Sequence, residues 1–415
     1  MVKKDDRIID ITDDVKWIGI LDYDIKTFDI VMTTTYGTTY NSYFINADKK
    51  TLIEVVKEKF YTTYLNKLQS VTDPAEISYI ILDHTEPDHS GSLMNLLEIA
   101  PSATVVGSGN AIRYLEDMLN IPFKSIVIKD GDTLDLGNKT LKFISAPNLH
   151  WPDTIYTLLE EEHILFTCDS FGAHYCRYEM NDDLTDEYME ALKYYFDVIL
   201  KPFSRFMIKA IEKIKPLDIR YICPGHGPIL SKNRNKIIEL TEKFANDYLH
   251  VTGVEANRTI LVTYVSAYGY TKAAAEKIAS GIRETDNINV EIVDIEHIDL
   301  SRLEALIISS DALLIGSPTI NQNTLLPVYK MFALINPIRD RGKLAGSFGS
   351  YGWSGEASKI ILEVMRNLKL EIFEDCAAFK FFPSGYKESD LKEFGKKFAQ
   401  KFSEKYNKKG DRLKI

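Results

Sequence analysis

The sequence predicts an α/β protein built as two layered domains, and three observations carry that prediction. Short apolar, β-branched runs recur along the chain with helical stretches between them, the alternation of α/β sheets. In the first part four such runs stop at an acidic or histidine residue; in the second, three open into loops of glycine and hydroxyl residues. Between the parts lies Thr252-Gly253-Val254-Glu255-Ala256-Asn257, a short polar linker. The expected organisation is a first domain over 1–252, a second over 258–402, and a charged tail over 403–415 with little order.

Strands are expected to open the first domain, at 17–21 and 31–45, and a helix at 232–249 to close it. The strand-like run Tyr79-Ile80-Ile81-Leu82 passes at once into Asp83-His84-Thr85-Glu86-Pro87-Asp88-His89-Ser90-Gly91. Leu141-Lys142-Phe143-Ile144 leads by a short loop to His150, and Ile164-Leu165-Phe166 leads to Asp169. Ile219-Arg220-Tyr221-Ile222 leads to His226 within Pro224-Gly225-His226-Gly227-Pro228. Loops leaving the C-terminal ends of strands are where layered α/β folds build their sites. His84, Glu86, Asp88, His89, His150, Asp169 and His226 make a set of seven ligands. That is enough for two metals if the Asp169 carboxylate bridges them, since a pair roughly 3.5–4 Å apart needs such a bridge. Only eight histidines occur in the chain, and four fall in this set. Ser90 and Gly91 are read as structural, holding the first ligand loop at the start of a helix over 92–97.

The pattern H-x-[HE]-x-D-H, followed by a lone His, an Asp and a final Gly-His-Gly, resembles the metallo-β-lactamase superfamily. That resemblance implies an αβ/βα sandwich. Hydrolases of the superfamily usually place a second His where this chain has Glu86. A carboxylate there makes the site harder and more anionic, which favours iron over zinc. Glu86 combined with a flavodoxin domain is the mark of the flavodiiron proteins, also called A-type flavoproteins.

The second half supplies the flavodoxin pattern. Residues 258–265 read as a parallel strand running into Ser266-Ala267-Tyr268-Gly269-Tyr270-Thr271 and then a helix over 272–283. Such a strand–loop–helix junction is a phosphate cradle, because backbone N–H groups and the helix dipole face the anion. A second strand, 311–315, opens into Gly316-Ser317-Pro318-Thr319-Ile320-Asn321. A third, 344–348, opens into Gly349-Ser350-Tyr351-Gly352-Trp353-Ser354-Gly355. These resemble the three FMN-holding loops of flavodoxins, so the second domain is expected to be a doubly wound parallel sheet. No G-x-G-x-x-G follows a strand, which leaves a Rossmann dinucleotide site without support.

The flavodiiron resemblance covers nearly the whole chain. It implies FMN, two non-haem irons and reduction of dioxygen to water, nitric oxide to nitrous oxide, or both. It also implies an external donor (a rubredoxin, an NADH-dependent reductase or a reduced deazaflavin) and a head-to-tail homodimer, possibly a tetramer. His174 and Tyr195 are candidate proton donors in the pocket. Two other readings are a metallo-β-lactamase-type hydrolase fused to a flavodoxin domain, and a plain electron-transfer protein whose first domain is a docking scaffold. Composition bounds the rest. At 415 residues and 45% hydrophobic the chain can bury two or three cores. A net charge of −10 argues against nucleic acid as a partner. No apolar run suits a membrane span, residues 1–7 lack a signal-peptide core, and four cysteines without a C-x-x-C pair point to a reducing cytoplasm.

Overall fold

The computed structural model describes residues 5–28, 32–251, 258–337, 339–382 and 386–412. The chain separates into two compact units, Met1–Tyr248 and Leu249–Ile415. The expected linker at 252–257 lies outside the described residues.

The first unit holds two mixed sheets. One has seven strands in the order Ile9–Asp10, Val15–Trp17, Tyr43–Ile45, Thr51–Ile53, Tyr79–Ile81, Thr104–Ser108 and Ser125–Ile128. The other has five, in the order Thr133–Asp135, Thr140–Ser145, Ile155–Leu159, Ile164–Cys168 and Tyr221–Pro224. Alternation along each strand divides its side chains between two faces. Tyr43, Ile45, Ile53 and Ile81 meet Phe143, Ile155, Leu159 and Phe166 in a core between the sheets. Phe44, Leu52, Ile80 and Leu82 point the other way, against Tyr64, Leu68, Leu96 and Leu115 on helices. Ile144, Leu158, Leu165 and Ile222 do the same for the five-stranded sheet, under Tyr188, Leu192, Met207 and Ile211. The helix Ser204–Ile214 illustrates the cause. Its buried Met207, Ala210, Ile211 and Ile214 fall on one stripe at helical spacing. The result is the αβ/βα sandwich, and a side chain fully buried in it contributes about 1.5–3 kcal/mol relative to exposure.

The second unit is a five-stranded parallel sheet in the order Ile288–Asp294, Arg258–Tyr264, Ala312–Gly316, Leu344–Tyr351 and Glu371–Lys380. Helices cover both faces, as a flavodoxin-like fold requires. Tyr270–Ile282 and Tyr386–Arg412 pack on one face with backbones in near contact. A Cβ on Gly281 would run into the Lys392 carbonyl, and one on Gly395 into that of Ile278. The expected tail at 403–415 starts inside this last helix, whose backbone continues to Arg412.

Candidate functional site

The strand Tyr79–Ile81 ends in an extended stretch carrying His84 and Glu86, then turns at Pro87 into the single helical turn Pro87–Ser90. Proline suits that first helical position because its missing N–H would have had no partner there. Ser90 Oγ donates to the carbonyl of Thr85 at 2.7 Å, and so folds the loop back on itself. A Cβ on Gly91 would lie 2.9 Å from the Glu58 amide nitrogen, so glycine permits the close approach. The helix that follows is Leu93–Ile99.

All seven candidate ligands come together, in two clusters. In the first, Glu86 Oε2 lies 3.3 Å from His84 Nε2 and 3.0 Å from His150 Nε2. In the second, Asp88 Oδ2 lies 3.0 Å from His226 Nε2 and 3.5 Å from His89 Nε2. Asp169 belongs to both. Its Oδ2 is 3.7 Å from His84 Nε2 and 3.4 Å from His150 Nε2; its Oδ1 is 3.3 Å from His89 Nε2 and 3.6 Å from His226 Nε2. The clusters differ in access. The side chains of His150 and Glu86 are 22% and 17% exposed, whereas Asp88, His89 and His226 are closed off.

Burial opposes ionisation of Glu86, Asp88 and Asp169, yet the facing imidazoles hold all three carboxyls below the usual range. Three carboxylates in so little solvent need compensating cations. Neither oxygen of Asp88 receives a hydrogen bond, nor does Oδ2 of Asp169, although all are buried. Imidazole nitrogens and carboxylate oxygens converging on shared points, with three buried carboxylate oxygens left without a hydrogen bond, fit a metal pair. The carboxylate-rich donor set fits iron better than zinc.

An outer layer that sequence reasoning missed turns the rings inward. Asp153 faces His84 Nδ1 at 3.1 Å and accepts from Thr85 N at 2.8 Å and Thr85 Oγ1 at 2.7 Å. The Thr39 carbonyl faces His226 Nδ1 at 2.5 Å. Partners of this kind fix the tautomer and leave Nε2 free to bind. An acid three residues after His150 was a signal, but nothing in the spacing connects it with His84. The two candidate proton donors are both at the site. Tyr195 donates to Asp169 Oδ1 at 2.9 Å, and burial holds its phenol well above the ordinary range. His174 Nδ1 meets Thr38 Oγ1 at 2.9 Å, while its buried Nε2 has no hydrogen-bond partner. Burial and the neighbouring His226 push its pKa down to about 3, so the ring is neutral near pH 7.

The three glycine-bearing loops leave neighbouring strands of the parallel sheet at their C-terminal ends, where the strand order reverses. Gly269 precedes the helix Tyr270–Ile282 with φ +80, a conformation that favours glycine. Ser266 Oγ accepts from Lys272 N at 3.2 Å at the start of that helix. Thr271 is buried against Ser350, with 3.0 Å between the two Oγ atoms. Thr319 N donates to the Ser350 carbonyl at 2.8 Å, and Thr319 Oγ1 accepts from Ala357 N at 3.2 Å. These bonds lace the loops together. Ala267, Tyr268 and Asn321 remain exposed, as does Trp353; Tyr268 and Trp353 each keep 79% of their surface. Pro318 is buried, and Ile320, Tyr351, Gly352, Ser354 and Gly355 are partly buried beside them.

Residues 38–227 match the family described as "ODP family beta lactamase", and residues 262–405 match "Flavodoxin". Flavo-diiron protein FprA2 of Clostridium acetobutylicum is 39% identical over 93% of this chain and 96% of its own length. Type A flavoprotein fprA of Rhodobacter capsulatus is 37% identical over 92% of this chain and 89% of its own. Among solved structures, rubredoxin oxygen:oxidoreductase from Desulfovibrio gigas superimposes with a TM-score of 0.72 at 26% identity, covering 96% of this chain and 99% of that one. The flavodiiron protein of Giardia intestinalis gives a TM-score of 0.68 at 28% identity, covering 96% and 98%. The chain belongs to the flavodiiron protein family. It is therefore an oxidoreductase whose cofactors are FMN and a non-haem diiron centre. Among the described residues no helix is long and apolar enough to cross a membrane.

Proposed function

We propose that this oxidoreductase reduces dioxygen to water, nitric oxide to nitrous oxide, or both, at irons held by His84, Glu86, Asp88, His89, His150, Asp169 and His226. The observation that carries the reading is Asp169, whose two oxygens face two separate His–carboxylate clusters. When bound, the diiron centre and FMN supply open coordination positions and the electrons that diatomic reduction needs.

The residues divide the remaining work. Glu86, Asp88 and Asp169 supply the negative charge that favours the ferric state over bound zinc. Glu86 is the feature that disfavours the hydrolase reading. His150 and Glu86 form the exposed rim. Tyr195 steadies Asp169 from behind, and His174 Nε2 offers a buried polar atom free of other bonds. In the second unit, residues 266–271 take the FMN phosphate. Pro318, Thr319, Ile320 and Asn321, with residues 350–355, flank its ring system, and Trp353 supplies an aromatic face.

The donor is a rubredoxin or an NADH-dependent reductase, and likeness to the rubredoxin oxygen:oxidoreductase of Desulfovibrio gigas supports the first of these. Four free cysteines suit a reducing cytoplasm. A head-to-tail homodimer, or a tetramer of such pairs, would let the FMN of one chain serve the irons of its partner.

The test is metal and flavin analysis of the purified chain, followed by steady-state consumption of each gas under a common reductant. About two irons and one FMN per chain are expected, with turnover of at least one gas. Mainly zinc after expression with both metals supplied would sink the assignment.

A further inference from the structure

His89 has a keeper of its own. Glu54 follows the strand Thr51–Ile53 and is buried, with 2% of its side chain exposed. Its backbone has φ +57, a region that non-glycine residues seldom occupy. That conformation is pinned on both sides: Glu54 N donates to the Ile81 carbonyl at 2.9 Å, and the Glu54 carbonyl accepts from Ser42 Oγ at 2.7 Å.

The carboxylate is divided between two tasks. Oε1 accepts from Asp83 N at 2.6 Å and from His84 N at 3.1 Å, which fixes the start of the first ligand loop. Oε2 receives no hydrogen bond, is buried, and lies 3.5 Å from His89 Nδ1. The other acceptor near that nitrogen is Cys168 Sγ at 3.7 Å, and a thiol sulfur accepts more weakly than a carboxylate. On the far side of the ring, His89 Nε2 faces Asp88 and Asp169.

We propose that Glu54 is the positioning residue for His89: its Oε2 faces Nδ1 as the hydrogen-bond acceptor, which commits Nε2 to the metal shared with Asp88 and His226. The proposal rests on the diiron reading above. It gives each cluster its own carboxyl group behind a ligand ring, Glu54 behind His89 and Asp153 behind His84. Loss of the Oε2 acceptor alone, with Oε1 or its equivalent still holding the loop that carries His84, should then act on the inner metal.

The test compares Glu54→Gln and Asp153→Asn in the full-length protein, loaded with iron and kept anaerobic. Glutamine retains an acceptor for the loop amides but turns an N–H donor toward His89. In the diferrous protein the exchangeable imidazole N–H resonances of the ligand histidines are shifted by the irons and can be followed by proton NMR in water. Glu54→Gln should lose one such resonance, different from the one lost in Asp153→Asn. It should also weaken one iron by roughly 10–100-fold in chelator competition and leave the other as in the wild type. Should Glu54→Gln not fold, Glu54→Asp replaces it, and loss of the same single N–H resonance, with that of His84 retained, is the expected result. Unchanged resonances, or equal weakening of both irons, would overturn the proposal, because mere support of the loop affects both. A wild-type chain that takes up no iron pair defeats the functional reading itself; a wild type with two irons beside a silent Glu54→Gln defeats only this inference.

Discussion

The two candidate sites of this chain are built on opposite plans. At the metal centre every candidate contact is a charged or imidazole side chain, most are buried, and the rings of His84 and His226 are aimed by a partner behind them. At the glycine-bearing loops proposed for the flavin the candidate contacts are backbone groups and broad rings, and Tyr268 and Trp353 stand largely in solvent. The difference follows from what each site holds. Cations must be met by formal charge at short range, and charge out of water is costly unless each group is placed and compensated. A flat, partly apolar cofactor is held over a wide area by shape, with its phosphate at a helix start. One site should therefore fail sharply when a single atom changes, and the other should fail by degrees.

The largest effect is expected at the atom pair common to both clusters. Asp169→Asn should lose the metal pair, with iron affinity falling by more than the ~100-fold upper range of changes behind the ligands. Flavin content should stay unchanged by absorbance. Retention of both irons would remove the contrast between the sites at its root. Glu86→His comes next. It deletes one negative charge, so metal competition should move toward zinc and most reductase turnover should go, on the order of 10-fold or more. Full iron loading with unaltered rates would show that Glu86 does not set the choice of metal.

Asp153→Asn tests whether placement, beyond charge, governs the metal site. Its contact with His84 Nδ1 predicts an iron affinity lower by roughly 10–100-fold with the fold intact by circular dichroism. An iron-binding curve that superimposes on the wild type would make Asp153 a purely structural residue. The smallest effect is expected on the flavin side. A Cβ at Gly269 meets nothing within 4 Å, so Gly269→Ala introduces only the strain of φ +80. That costs about 1 kcal/mol, or about a 5-fold weakening of FMN in a fluorescence titration, with iron content untouched. A loss as steep as that of Asp169→Asn would mean that the flavin loops are as brittle as the metal site.

Much of this molecule was legible before any coordinates. The four strand-end motifs name the seven residues that converge, because a buried strand has a recognisable composition and the loop after it must carry the polar chemistry. The three glycine-bearing loops at neighbouring strand ends were legible for the same reason, as were two α/β units. The roles of single hydroxyls were less so. Nothing in its own loop pairs Thr271 with Ser350, which lies 79 residues away and which the fold brings to its hydroxyl.

What the sequence by itself determined is therefore the inventory and the local geometry: which strands end in ligands, which loops carry glycine, and where the carboxylate replaces an imidazole at Glu86. Only the tertiary structure decided how Asp169 divides its two oxygens, and that Asp153 and Glu54 stand behind His84 and His89. The reason is physical. Strand and helix patterns are set by periodicities within a few residues, whereas these contacts join distant loops, from two packed sheets at Asp169 and Asp153 and from neighbouring strands of one sheet at Glu54. Their partners are chosen by proximity across the core, which no spacing along the chain records.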